Sequence, residues 1–338
     1  MRLFHAVLRT IVLLAVLLSV LVVFVVNPSC TSDSIQNAGL VQSEIPGARA
    51  DRLRRDVKAL VGTRVPRSAS RPEGLREAAA VVARAWESLG LEVRREEVVA
   101  GGVRSSNVSV LLGSERAPRV VVGAHYDVYG DLPGADDNAS GVAGVIELAR
   151  LLVDPDLRAK MNPYSHAIEL VAWTNEEPPH FGTDGMGSLV HARRLKAEGV
   201  PVKRAVSVEM IGYFSDAPGS QRYPSPVLRA LYPDRGNFIA LVGAATPADW
   251  WLVARAKAAI SLVSTISVRS INAPAFVPGV DYSDHRSFWA EGFPALMITD
   301  TSFYRNDRYH TEHDVPDSLD YERMAAVVDG LYGIVTME

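Results

Sequence analysis

Histidines and acids recur in this sequence where apolar runs end. The β-branched run 120–122 leads to His125 and Asp127, and a turn-rich segment with Gly130, Pro133 and Gly134 leads to the adjacent pair Asp136 and Asp137. The arrangement returns at Glu176 and Glu177 after the run 167–174, at Glu209 closing 205–209, and at Tyr309 and His310 downstream of 295–299. An unpaired charge is costly to bury. Buried strands that end in His-x-Asp and a Gly-Ala-Asp-Asp loop therefore need a counter-ion, and a metal ion is the most economical. A hydrolytic metal site needs few protein ligands and an open position for water. Zn²⁺ can lower the pKa of a bound water to about 7, and two ions about 3.5–4 Å apart can hold both the attacking and the polarised oxygen. One bridging carboxylate and two further ligands per ion make five residues, the number supplied by His125, Asp137, Glu177, Glu209 and His310.

The pair Glu176 and Glu177 divides the labour. Adjacent side chains on extended backbone point to opposite sides, and Pro178 biases Glu177 towards extended geometry. Pro178 and Pro179 lack N–H donors, so the strand cannot continue as a paired central strand. One glutamate can then bind metal while its neighbour faces the substrate as a general base. The sequence carries no Gly-x-Ser-x-Gly, no His-Glu-x-x-His and no phosphate-binding glycine loop.

Strands alternating with helices must position these groups. Strand-like runs fall at 91–97, 107–112, 120–124, 167–174, 205–209, 237–242, 265–271 and 295–299. Helical spacing marks 51–61, a helix capped by Ser70 ahead of Pro72 and stopped by Gly90, then 141–153, 187–198, 247–260, a short turn near 287–290, and 321–335. Trp250 and Trp251 read as helix core, and 213–236 as a long loop or lid. This alternation means α/β, and the early hairpin means a mixed sheet. In open α/β sheets ligands bind beyond the carboxyl ends of the strands, so the four strand ends are expected to meet at one crevice.

Composition sets the bounds. The 338 residues are 48% hydrophobic and 22% charged, enough for one large α/β domain or two small ones. A net charge of −4 argues against nucleic acid as the main partner. A single cysteine, Cys30, excludes an intrachain disulfide. Arg2 and Arg9 precede residues 11–26, which are apolar except for Ser19. As a helix that run spans roughly 24 Å, against a hydrocarbon core of about 30 Å. It reads as a signal-anchor within 1–30, with a cleaved signal peptide or a lipoprotein acylated at Cys30 as alternatives. Each places the rest of the chain outside the cytoplasm, periplasmic or extracellular. Residues 31–50 then read as a linker and 51–338 as the functional domain.

The stretches GAHYD, GADDNASG, NEEPPHFGTDGMGS, SVEMIGY, SDHRSFW and YHTEHD, in this order and spacing, resemble the co-catalytic zinc aminopeptidase family, which also contains glutamate carboxypeptidase II and glutaminyl cyclase. The likeness runs from about Asp51 to the C-terminus. It implies a single three-layer α/β domain with a mixed, largely parallel central sheet of about eight strands, two Zn²⁺ per chain and peptide substrates. Asp137 would bridge the zincs; His125 and Glu209 would complete one site, Glu177 and His310 the other. Glu176 would be the general base, Asp127 would orient His125, and Tyr309 would help hold the oxyanion. Many members have Asp where this chain has Glu209. His285 lies in SDHRSFW, a motif the family shares without using it as a ligand, and Asp284 and His285 read as support or wall residues. Carboxypeptidase action would need a cation such as Arg286 or Arg305 for the substrate carboxylate. A one-zinc acyltransferase of the cyclase type and a non-catalytic receptor are the other readings of the same scaffold.

Overall fold

The computed structural model describes residues 47–160 and 165–337. The apolar stretch 11–26, Cys30 and the segment up to residue 46 lie outside the described residues. Among those described, no helix is long and apolar enough to cross a membrane.

Eight strands form one mixed sheet: β1 (Val93–Ala100), β2 (Val103–Leu112), β3 (Arg119–His125), β4 (Ala167–Trp173), β5 (Val202–Glu209), β6 (Ile239–Ala244), β7 (Val268–Ala273) and β8 (Ala295–Thr299). Their spatial order is β1-β2-β4-β3-β5-β8-β6-β7. β4, β3, β5 and β8 run parallel to one another, whereas β2 is antiparallel to β4 and β6 to β8. The four central strands thus end at the same edge.

Helices cover both faces. On one, α1 (Ala50–Val61), α2 (Pro72–Glu87), α3 (Gly141–Val153), α7 (Pro247–Val263) and α9 (Tyr321–Thr336) pack in one layer system. The short helices α4 (Pro155–Lys160) and α6 (Pro226–Leu231) are peripheral, and α5 (Gly187–Ala197) and α8 (His285–Ala290) cover the other face. Strand alternation sorts the core accordingly. Val120 and Val122 join the cluster under α3, whereas Val121 joins Val171, Trp173 and Phe288 beneath α5 and α8. Gly123 shares the second face because Trp173 lies across it; a Cβ there would come within 2.6 Å of the indole.

Three details depart from the sequence reading. Ser70 caps nothing: α2 starts at Pro72 after Arg71, and the Ser70 hydroxyl instead pairs with that of Ser68 at 3.0 Å. The hairpin is longer than alternation suggested, because Gly101 and Gly102 (φ 56° and 79°) make a tight two-residue turn that keeps the strands paired to their tips. Trp251 is 69% exposed on α7 rather than part of its core. Entry to the domain is fixed. The backbone N–H groups of Ala48 and Arg49 donate to Asp329 (2.7 Å) and to the buried Glu147 (3.0 Å).

Candidate metal centre

The carboxyl ends of β3 and β5, with the loops after β3, β4 and β8, bring the five candidate ligands to one crevice. His125, Asp137 and Glu209 can offer one atom each within 4.8 Å of one another, and so can Asp137, Glu177 and His310. His125 Nε2 stands 3.4 Å from Asp137 Oδ1 and 3.4 Å from Glu209 Oε2. His310 Nε2 stands 3.1 Å from Asp137 Oδ2 and 3.2 Å from Glu177 Oε1. Asp137 therefore turns one oxygen to each histidine.

Tautomer chemistry tests whether this donor set fits a cation. His125 Nδ1 donates to the backbone carbonyl of Asp127 at 3.2 Å, so in the neutral ring Nε2 carries a lone pair. That lone pair faces two carboxylate oxygens, an arrangement that repels unless a proton or a metal stands between them. The residues fit a metal. Without one, protons take the place. Burial pulls the His125 ring down, but Glu209 and Glu176 carry it well above the usual histidine range. Burial likewise lowers His310, and the hydrogen bonds it donates to Asp137 and Glu177 raise it to about 9. Burial and then Asp137 push Glu177 up to about 7. Asp137 is held below the carboxylate range, its burial outweighed by the two histidines.

Glu176 belongs to neither group. Its nearest oxygen lies 3.9 Å from His125 Nε2, and burial raises its pKa well above the ordinary value. Asp127 acts on the glutamates as well as on His125. Its two carboxylate oxygens accept the N–H groups of Glu176 (3.1 Å) and Glu177 (3.0 Å), while Oδ1 stays 3.7 Å from His125 Nδ1. Tyr309 lines the cleft beside Asp137, Glu176 and Glu209.

Several supporting residues escaped the sequence reading. Ser283 donates to Glu209 Oε2 at 2.7 Å. Asn138 donates to the Val208 carbonyl (2.9 Å) and accepts from Gly141 and Met210. His310 has a positive φ of 56°, and its ring is sandwiched between Tyr309 (centroids 3.7 Å apart) and Tyr129 (4.1 Å, interplanar angle 2°). Asp314 binds the loop that carries Asp137. Of these, Asn138, Ser283 and Asp314 stand inside the quoted GADDNASG, SDHRSFW and YHTEHD stretches, where their distant partners are invisible in sequence. Asp284 and His285 are buried outside both ligand groups, and His285 Nε2 donates to the Val280 carbonyl at 2.8 Å.

Beside the cluster lies a mostly apolar cleft. Its floor is formed by Met297 of β8, Ala240 and Val242 of β6 and Ile271 of β7. Tyr223 and Phe303 wall it.

A mixed α/β sheet whose carboxyl edge gathers two histidines and three carboxylates beside an apolar cleft is the architecture of a metallo-exopeptidase. The chain belongs to peptidase family M28, which residues 107–335 match. It is 43% identical over 292 residues to the uncharacterized protein YfbL of Escherichia coli (strain K12), spanning 84% of this chain and 87% of that one. A protein of Trichophyton verrucosum (strain HKI 0517) described as a probable leucine aminopeptidase is 28% identical, over 92% of this chain and 78% of its own length. Among solved structures, the LapA aminopeptidase of Legionella pneumophila superimposes with a TM-score of 0.67 at 22% identity, covering 86% of this chain and 73% of that one. BSAP, a zinc aminopeptidase from Bacillus subtilis, gives 0.64 at 14% identity, over 87% and 96%. The glutaminyl cyclase of Fimbriiglobus ruber gives 0.59 at 21% identity, over 86% and 96%. At these identities the solved structures establish the fold.

Proposed function

We propose that this chain is an aminopeptidase that works with two zinc ions and removes N-terminal residues bearing large apolar side chains. The observation that carries the reading is Asp137, with one oxygen towards each histidine, while Glu176 is left outside both ligand groups. Asp137 would be shared, His125 and Glu209 would hold one zinc, and Glu177 and His310 the other. Bound zinc would polarise the scissile carbonyl and favour ionisation of the attacking water. Glu176 takes the proton from that water and delivers it to the leaving amine. Tyr309 donates its hydroxyl to the oxyanion. Asp127 keeps Glu176 and Glu177 apart by holding both their amides. The acidic rim receives the substrate's α-ammonium, and the apolar cleft takes its side chain.

Carboxypeptidase action has less support. Arg305 is buried, donating to Gln221 Oε1 (3.0 Å) and the Tyr213 carbonyl (3.3 Å), and Arg286 lies over the Phe181 ring. We also place the domain outside the cytoplasm, held at the membrane by the apolar N-terminal run that follows Arg2 and Arg9. Release of the protein by alkaline wash of membranes would refute that anchor.

The direct test is an aminoacyl-amide panel with and without chelator. Cleavage of leucyl or phenylalanyl amides, abolished by chelation and restored by zinc, is the expected result. One zinc per chain with cyclisation of N-terminal glutamine peptides would instead favour the acyltransferase reading.

Two further outcomes are expected. Zinc entry must displace protons from His310, raised to about 9, and from His125, also raised by its acidic neighbours, so affinity should fall as pH drops. Calorimetry in buffers of different ionisation heat should show proton release, and a zinc affinity flat between about pH 6 and 8 would contradict it. Tyr129→Ala should weaken retention of one zinc by about tenfold, because it bares one face of the His310 ring. Chelator-release kinetics with two wild-type phases would argue against that support.

A further inference from the structure

The loop that carries Asp137 is gripped from two sides by groups of opposite charge. Arg67 is 2% exposed, and its guanidinium donates to the Pro133 carbonyl (2.7 Å) and to the Gly134 carbonyl. On the other side, Asp314 takes the amides. Its backbone carbonyl accepts from Ala135 (3.1 Å), and its two carboxylate oxygens accept from Asp136 (2.8 Å) and Asp137 (3.1 Å). The cation meets the carbonyls of residues 133 and 134 and the anion the N–H groups of 136 and 137, so each sits at the favourable end of neighbouring peptide dipoles, and the peptide between 134 and 135 is held at both ends, by Arg67 and by the Asp314 backbone carbonyl. Gly134 allows the grip: its φ is +58°, and a Cβ there would lie 2.9 Å from the Arg67 guanidinium.

Holding an arginine this deeply is expensive, and among the described residues no carboxylate lies within ion-pair distance of it. Burial lowers Arg67 to about 10, against the opposing fields of Asp314, Asp137, Asp127 and Glu177. Surface packing alone does not call for such a group. The strand-like contact beside it, where the Arg67 carbonyl accepts from Val128 (3.2 Å) and Ser68 bridges to Val128, fixes its backbone against the same loop. Arg67 also precedes the 107–335 span that matches the family, so the family match does not carry it.

We propose that Arg67 is a positioning residue for Asp137: with Asp314 opposite, it holds the 133–137 turn so that Asp137 presents one oxygen to each histidine. This rests on the two-zinc reading above. The test compares wild type, Arg67→Met, Arg67→Lys and Arg71→Met. Arg71 touches the same loop only through an exposed pair with Asp131 (3.0 Å), far from the ligands in role. Arg67→Met should speed zinc release to a chelator and lower kcat, each by about 10–100-fold. KM should stay within about twofold, the sign of an interaction expressed in the transition state. Arg67→Lys keeps a donor for one carbonyl and should recover part of both losses. Arg71→Met should match wild type.

Wild-type zinc retention and kcat in Arg67→Met overturn the proposal. An equal loss in Arg71→Met also overturns it, since any loosening of the loop would then suffice. If the Met variant does not fold, Arg67→Lys decides: zinc release at the wild-type rate overturns the proposal, and faster release at an unchanged zinc-free melting temperature supports it. Failure of the underlying reading looks different, because then the wild type itself would not hold two zincs.

Discussion

Glu176→Gln is expected to keep both zinc ions and to lose about 10²–10⁴-fold in kcat, the range a positioned general base contributes. The amide is nearly isosteric with the carboxyl but cannot take up a proton. Glu176 is not a member of either ligand group, so metal content should not change. Its backbone N–H, which donates to Asp127 at 3.1 Å, survives the substitution, so the placement of Glu177 survives with it. Zinc per chain by atomic absorption, together with kcat on the best substrate of the panel, makes the test. Full turnover in Glu176→Gln would remove the residue from its assigned role. Loss of zinc in step with activity would make it a ligand instead.

Asp137→Ala should abolish zinc binding at both positions and lower stability as well. Each histidine keeps only one acidic partner of its own group, Glu209 for His125 and Glu177 for His310. Any ligand that binds only the folded state stabilises it by mass action, about 2.7 kcal/mol at a hundredfold excess over Kd. Zinc-loaded wild type should therefore lose melting temperature on chelation, and Asp137→Ala should melt low and ignore the chelator. Even without metal the variant should suffer, because Asp137 is the carboxylate that faces both raised histidines. Two zincs retained per chain would contradict a shared ligand.

The parts of this site that were legible in the sequence are those written in side-chain type and period. An apolar run with β-branched residues announces β3, and His125 follows because it stands at the strand's end. Glu209 closes β5 for the same reason, on the face it shares with Ser207. The parts that were not legible depend on backbone atoms meeting across long stretches of chain. Arg67 reaches carbonyls at 133 and 134, and Asp314 reaches amides at 135–137; neither partner has a side-chain identity to notice. Nothing in the sequence marks Tyr129, whose ring lies flat on His310. His191 lacked any pattern in sequence, yet Trp173 Nε1 donates to it at 3.1 Å and Glu169 stands 3.5 Å away. Helix ends were harder than helix interiors. The hydroxyl of Ser70 had a competing partner nearby, and capping residues bond readily to whatever local group is closest.

The inversion of β6 against β8 has an outcome for how such a molecule changes over time. The ligands ride on the four parallel strands and their loops, whereas much of the cleft floor belongs to the reversed pair β6 and β7. If the cleft receives the substrate side chain as proposed, exchanges at Ala240, Val242 or Ile271 would reshape what is admitted without moving any of the five candidate ligands. On the proposed reading, a lineage could retarget its appetite by editing one end of the sheet while the reactive apparatus at its centre stays untouched.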